Sequence, residues 1–83
     1  MKIRLRLFAN LKELAGTEAL DLEMKEGDDV EALISTISSE LPALREILEK
    51  RAVFISVNQE MAKDKDTLSE GDEVGLLPPF SGG

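Results

Sequence analysis

Apolar residues recur with a period of two near both ends of this 83-residue chain, and with a helical period in its middle. In "KIRLRLF", residues 2–8, Ile3, Leu5 and Leu7 share one parity while Lys2, Arg4, Arg6 and Phe8 share the other, the pattern of a half-buried strand. "ALDLEM" alternates again through Leu20, Leu22 and Met24, "VFISVN" through Val53, Ile55 and Val57, and "EGDEVGLL" turns Val74 and Leu76 inward. Between the second and third of these, Val30, Leu33, Ile34, Ile37 and Leu41 fall at helical spacing. Asp28 or Asp29 can cap the start of that helix, where acidic groups also suit the dipole. Pro42 then interrupts and opens a second short helix with Leu44, Ile47 and Leu48 facing inward. "NLKELAG" predicts another short helix, with Asn10 as its N-cap, Gly16 as its stop, and Leu11, Leu14 and Ala15 between. A minor strand falls near "EMA" or "DTL".

The order strand, strand, helix, strand, strand predicts an α+β fold of the β-grasp, or ubiquitin-like, kind. The first and last strands become parallel neighbours at the centre of a mixed sheet, and the main helix crosses one face. Residues 1–77 make this domain, and residues 78–83, which lack any pattern, are expected to form a flexible tail. There is room for one core only, and a chain of this size buries roughly 60% of the surface its unfolded form exposes. With no cysteine, neither disulfides nor a thiolate zinc site supplements that core. A content of 42% hydrophobic against 33% charged residues is nevertheless too apolar for disorder.

The composition also narrows the chemistry. A net charge of −7 argues against a protein that tracks phosphates with a basic stripe. Histidine and cysteine are both absent, which removes the commonest general base and the commonest thiol nucleophile. Neither GxxxxGK[ST] nor GxGxxG occurs. "KDKD" and "EGDE" lack the spacing and ligand count of a calcium loop, and together with Lys12, Lys50 and Arg51 they read as a solvated face. No apolar run approaches a membrane span or a signal-peptide core, and a cytoplasmic setting fits.

Two features remain. Phe8, Phe54 and Leu77 carry the parity of the polar faces of their strands, and an apolar patch there reads as a docking surface. The competing reading is that strand ends turn inward and Phe8 caps the core. Beside this patch the chain runs out in "LLPPFSGG". Pro78 and Pro79 end the last strand and stiffen the exit. Six residues beyond Leu77 extend by about 20 Å, enough to reach the floor of another protein's pocket. Gly82 and Gly83 pass a channel that any larger residue would block. The α-carboxylate at the tip is a poor electrophile until its oxygen becomes part of a leaving group such as an acyl-adenylate. Once activated it accepts sulfur to give a thiocarboxylate, or an amine to give an amide, so the reacting atom belongs to the main chain. The competing reading is an inert or cloning-derived end.

Taken together, "LFANLKELAG", "VNQEM", "LSEGDEV" and "LLPPFSGG" resemble the small subunits of molybdopterin synthase, a family of ubiquitin-like sulfur carriers. The resemblance runs from end to end and is most specific from Val57 to Gly83. It implies that an enzyme similar to the ubiquitin-activating ones adenylates Gly83 with ATP and magnesium, which that enzyme supplies, while the carrier binds no cofactor. Gly83 then holds sulfur as a thiocarboxylate, and Gly82 gives access. It further implies that Phe8, Met61 and Leu77 contact the large synthase subunit, with Pro78, Pro79, Phe80 and Ser81 following into its pocket, in a heterotetramer of two carriers on a dimer of large subunits. Sulfur passes to cyclic pyranopterin monophosphate, so the chain is a donor subunit without catalytic side chains. Phe54 stands where the family often has smaller residues, and Leu76 and Leu77 replace an aromatic pair. Alternatives are a carrier for another product, such as the thiazole of thiamine, a protein modifier, and a binding module with an inert tail.

Overall fold

A computed structural model describes residues 1–78. Its elements are β1 (Lys2–Leu7), α1 (Asn10–Ala15), β2 (Ala19–Glu23), α2 (Val30–Glu40), a 3-10 turn (Pro42–Leu44), α3 (Arg45–Glu49), β3 (Phe54–Val57), β4 (Glu60–Met61) and β5 (Glu73–Leu77). The five strands form one sheet in the order β2-β1-β5-β3-β4. β1 runs parallel to β5, with Arg4 opposite Glu73 and Leu7 opposite Leu76, while the other neighbours are antiparallel. This is the β-grasp arrangement expected from the element order, including the wide β1–β2 connection that holds α1. The minor strand is the Glu60–Met61 pair, and Thr67 makes only an isolated bridge to Asp29.

The alternation in β1 is the burial pattern itself: Ile3, Leu5 and Leu7 are buried and Lys2, Arg4 and Arg6 exposed. Val74 and Leu76 of β5 meet them in the same layer, and Val30, Leu33, Ile34 and Ile37 of α2, Leu11 of α1, and Leu44 and Leu48 join them in one cluster, together with Leu22, Met24, Ile55 and Leu68. Each fully buried side chain of this kind contributes about 1.5–3 kcal/mol relative to exposure. No polar or charged residue is buried among the described residues.

Local signals explain most boundaries. Asp29 caps α2, its Oδ1 accepting the Ala32 N–H at 2.9 Å. The Val30 and Glu31 N–H groups donate to the Asp66 and Asp64 carbonyls at 3.0 Å each, so the loop before β5 is seated on the start of α2. Gly16 stops α1 with φ 76°, as anticipated. One expectation about α1 fails. Asn10 lies inside the helix rather than capping it, because the chain enters through Ala9 at φ 52° and no side chain caps the first turn. Leu11 carries the helix to the core, and Leu14 is 46% exposed. No helix among the described residues is long and apolar enough to cross a membrane.

Candidate functional site

The side of the sheet away from the helices is divided. Register places Ala19, Arg6, Gly75, Ser56 and Met61 in one row across β2, β1, β5, β3 and β4. The next row toward the C-terminal end of β5 holds Leu77 opposite Phe54, with Phe8 directly beyond Leu7, whose partner is Leu76. The row on the other side is charged, with Arg4 3.6 Å from Asp21 and Glu73 of that row 3.9 Å from Arg6. Phe8, Phe54 and Met61 are 40%, 45% and 65% exposed, and Leu77 is half-buried. Phe8 therefore does not cap the core. Its backbone N–H donates to the Leu76 carbonyl at 3.2 Å, which extends the β1–β5 ladder by one residue and keeps the side chain on the outer face of the sheet.

Of the site residues expected from the sequence, Phe8, Met61, Leu77 and Pro78 fall on or beside this surface. Pro79, Phe80, Ser81, Gly82 and Gly83 lie outside the described residues. The structure adds members that parity alone did not offer. A shallow depression beside the Phe8 ring is lined by Arg6, Ser56, Gln59, Glu73 and Gly75, and the Arg6 guanidinium stands 5.8 Å from the ring centroid, within cation–π range. The signal for Gly75 was present in "EVGLL", since glycine inside a strand pattern marks a close approach over the backbone.

The acidic stretches set aside as solvated charge do structural work. In three places the backbone N–H of one residue donates to an aspartate carboxylate three positions on, whose own N–H donates back to that residue's carbonyl. These are Lys25 with Asp28, Lys63 with Asp66, and Ser69 with Asp72, each contact between 2.8 and 3.1 Å. The aspartates thus close turns. Among the described residues no group of three or more His, Cys, Asp or Glu side chains is placed to hold a metal ion.

What the arrangement offers is an apolar surface of four side chains at the end of the sheet where β5 delivers the chain toward Pro78. The chain is 39% identical to the molybdopterin synthase sulfur carrier subunit of Chlamydomonas reinhardtii, over the whole of both chains. The solved small archaeal modifier protein 1 of Methanosarcina acetivorans superposes with a TM-score of 0.81 at 31% identity, covering 99% of this chain and 96% of that one. Subunits 1 and 2 of the molybdopterin-converting factor of Helicobacter pylori have been solved as a protein–protein complex, and the matching chain there is 26% identical with a TM-score of 0.72 over the full length of both. The model of the ThiS family matches residues 5–83, and the chain belongs to that family.

Proposed function

We propose that this protein is the sulfur carrier subunit of a molybdopterin synthase. An activating enzyme joins the Gly83 carboxylate to AMP from ATP, releasing pyrophosphate. A sulfur nucleophile then displaces AMP and leaves a thiocarboxylate on Gly83. On the large subunit the thiocarboxylate sulfur attacks a side-chain carbon of cyclic pyranopterin monophosphate and displaces the oxygen substituent there. Water then cleaves the thioester so formed, releasing the carrier as the carboxylate and leaving the sulfur on the product as a thiolate. Each product molecule takes two sulfurs, hence two carriers, in keeping with a heterotetramer. The chain's side chains hold the tail at its root and dock the large subunit, and the bond-making atom is in the main chain.

The observation that carries this reading is the apolar row Phe8–Leu77–Phe54 at the exit of β5. A partner seated on that row is positioned to receive the residues that follow Leu77, so docking and delivery of the tip are one event. The full-length likeness to the Chlamydomonas carrier supports the same conclusion. The intact mass after incubation with ATP, magnesium, an activating enzyme and sulfide tests it. A gain equal to one oxygen exchanged for sulfur is expected, and a chain lacking Gly83 is expected to fold normally and show none. No gain with an active activating enzyme, or an unimpaired Gly83 deletion, refutes it.

The likeness to a small archaeal modifier protein favours a second reading, in which the activated carboxylate is transferred to an amine. Adducts on lysine that survive reductant in cells are its signature, whereas a thiocarboxylate is labile to hydrolysis.

A further inference from the structure

Gly75 has no conformational reason to be glycine. It lies inside β5, which has a neighbour on each side, and it is not among the glycines of the described residues with positive φ. At ordinary dihedrals within a strand, glycine costs about 0.5–1 kcal/mol relative to alanine. The central strand is therefore weaker than its backbone requires, and the reason lies in the space above it. A Cβ built on Gly75 stands 2.8 Å from Ser56 Oγ, 3.3 Å from Phe8 Cε2 and 3.7 Å from Leu77 Cδ1. Rotation of a hydroxyl relieves the first contact. The second concerns a whole ring, because Phe8 leans back diagonally from its place beside Leu77 to lie over Gly75.

We propose that Gly75 is a positioning residue for partner docking: without a side chain, it lets the Phe8 ring lie across β5 and continue the surface of Leu77 and Phe54. A methyl group at 75 occupies the space under the ring and shifts it outward by a few tenths of an ångström, so the ring stands proud of Leu77 and Phe54. The inference rests on the docking role proposed above for this face, and it assigns to the backbone of β5 the flatness of that face.

The test is a double-mutant cycle on affinity for the large subunit of molybdopterin synthase from the same organism. Gly75→Ala is expected to weaken binding about five- to tenfold, the loss typical of disturbing a central aromatic anchor. Its melting temperature should be unchanged or higher, because alanine restricts the unfolded chain. In a Phe8→Ala background the same substitution should change Kd by no more than about twofold, the usual limit of additivity error. The Ser56→Ala background removes the hydroxyl contact, so the comparison survives if alanine at 75 alone disturbs folding. Unchanged affinity in Gly75→Ala, with Phe8→Ala still damaging, overturns the proposal and leaves the docking face standing. Equal losses in the presence and absence of Phe8 also overturn it, since Gly75 then acts by another route. If Phe8→Ala itself binds normally, the docking reading falls and takes the proposal with it.

Discussion

Arg51 ends α3 in a conformation that helices usually give to glycine. The Ala52 N–H donates to the Ile47 carbonyl at 2.9 Å and the Arg51 N–H to the Leu48 carbonyl at 3.1 Å, the paired bonds of a Schellman end. Arg51 consequently sits at φ 55°, where a side chain costs about 1–2 kcal/mol. What arginine supplies is a tether: Nη1 and Nη2 each donate to one oxygen of Asp64 at 2.8 Å. Those hydrogen bonds, first among the causes, raise the arginine pKa further above its usual value. The tether joins the end of α3 to the loop whose carbonyls receive the first N–H groups of α2. Both partners are half exposed, so solvent screening limits the pair to about 1 kcal/mol even with bidentate geometry. Strain and tether therefore nearly offset each other, which makes a sharp comparison possible. Arg51→Gly loses the pair and the strain together, and its stability should stay close to the parent. Arg51→Ala loses the pair and keeps the strain, and should fall by about 1 kcal/mol, or roughly 4–8 °C in melting temperature for a domain of this size. An alanine variant that melts with or above the glycine variant would show that the left-handed residue carries no cost here.

The β3–β4 hairpin turns on two residues, Asn58 at φ 51° and Gln59 at φ 71°, between the paired Val57 and Glu60. Positive φ at both central positions is the requirement of a type I′ turn, which favours Asn-Gly. Asn58 meets it and also clamps the start of β5, its Nδ2 donating to Asp72 Oδ1 at 2.9 Å and its Oδ1 accepting the Glu73 N–H at 3.0 Å. Gln59 has no such compensation among the hydrogen bonds of the described residues. Gln59→Gly is expected to stabilise the protein by about 0.5–1 kcal/mol, read as a higher urea midpoint with an unchanged m-value; an unchanged or lower midpoint would mean that the glutamine side chain supports the turn in another way. The absence of glycine here is also why the hairpin was illegible: "VNQE" carries no turn dipeptide strong enough to choose between "EMA" and "DTL" for the minor strand. Strands β1, β2 and β5 were legible because the large apolar residues that feed the core alternate along them, a short-range signal with period two. The α1 entry was misread because backbone geometry at Ala9 starts that helix. Phe8, Leu77 and Phe54 were legible by parity, whereas parity compares side chains and passes over a glycine whose meaning lies in the ring folded onto it. The Arg51–Asp64 tether depends on two loops meeting, which no local pattern records.

At the scale of the molecule, the last described element is the one that joins the others. In the sheet of the described residues, β5 joins the β1–β2 hairpin to the β3–β4 hairpin, pairing parallel to one and antiparallel to the other. Val74 and Leu76 are fully buried between them, and Gly75 and Leu77 belong to the outer face that carries the apolar row. Removing β5 exposes the inner edges of two hairpins, and two-stranded hairpins are marginal by themselves in water. It also deletes two central core side chains worth about 1.5–3 kcal/mol each, against a total stability that for a small domain is only about 5–15 kcal/mol. The sheet and the candidate site consequently form together or not at all, so a partially folded chain does not present the apolar row. A chain ending at Ser69 should be unfolded by far-UV circular dichroism and give collapsed amide dispersion in a nitrogen–proton correlation spectrum. One ending at Leu77 should keep native dispersion and melt within a few degrees of the full chain, because it retains every strand pair of the described residues. A folded Ser69 truncation would show that the hairpins associate without β5. The apolar row would then be dispensable to the fold's cooperativity, and its residues could be altered for partner choice without regard to stability.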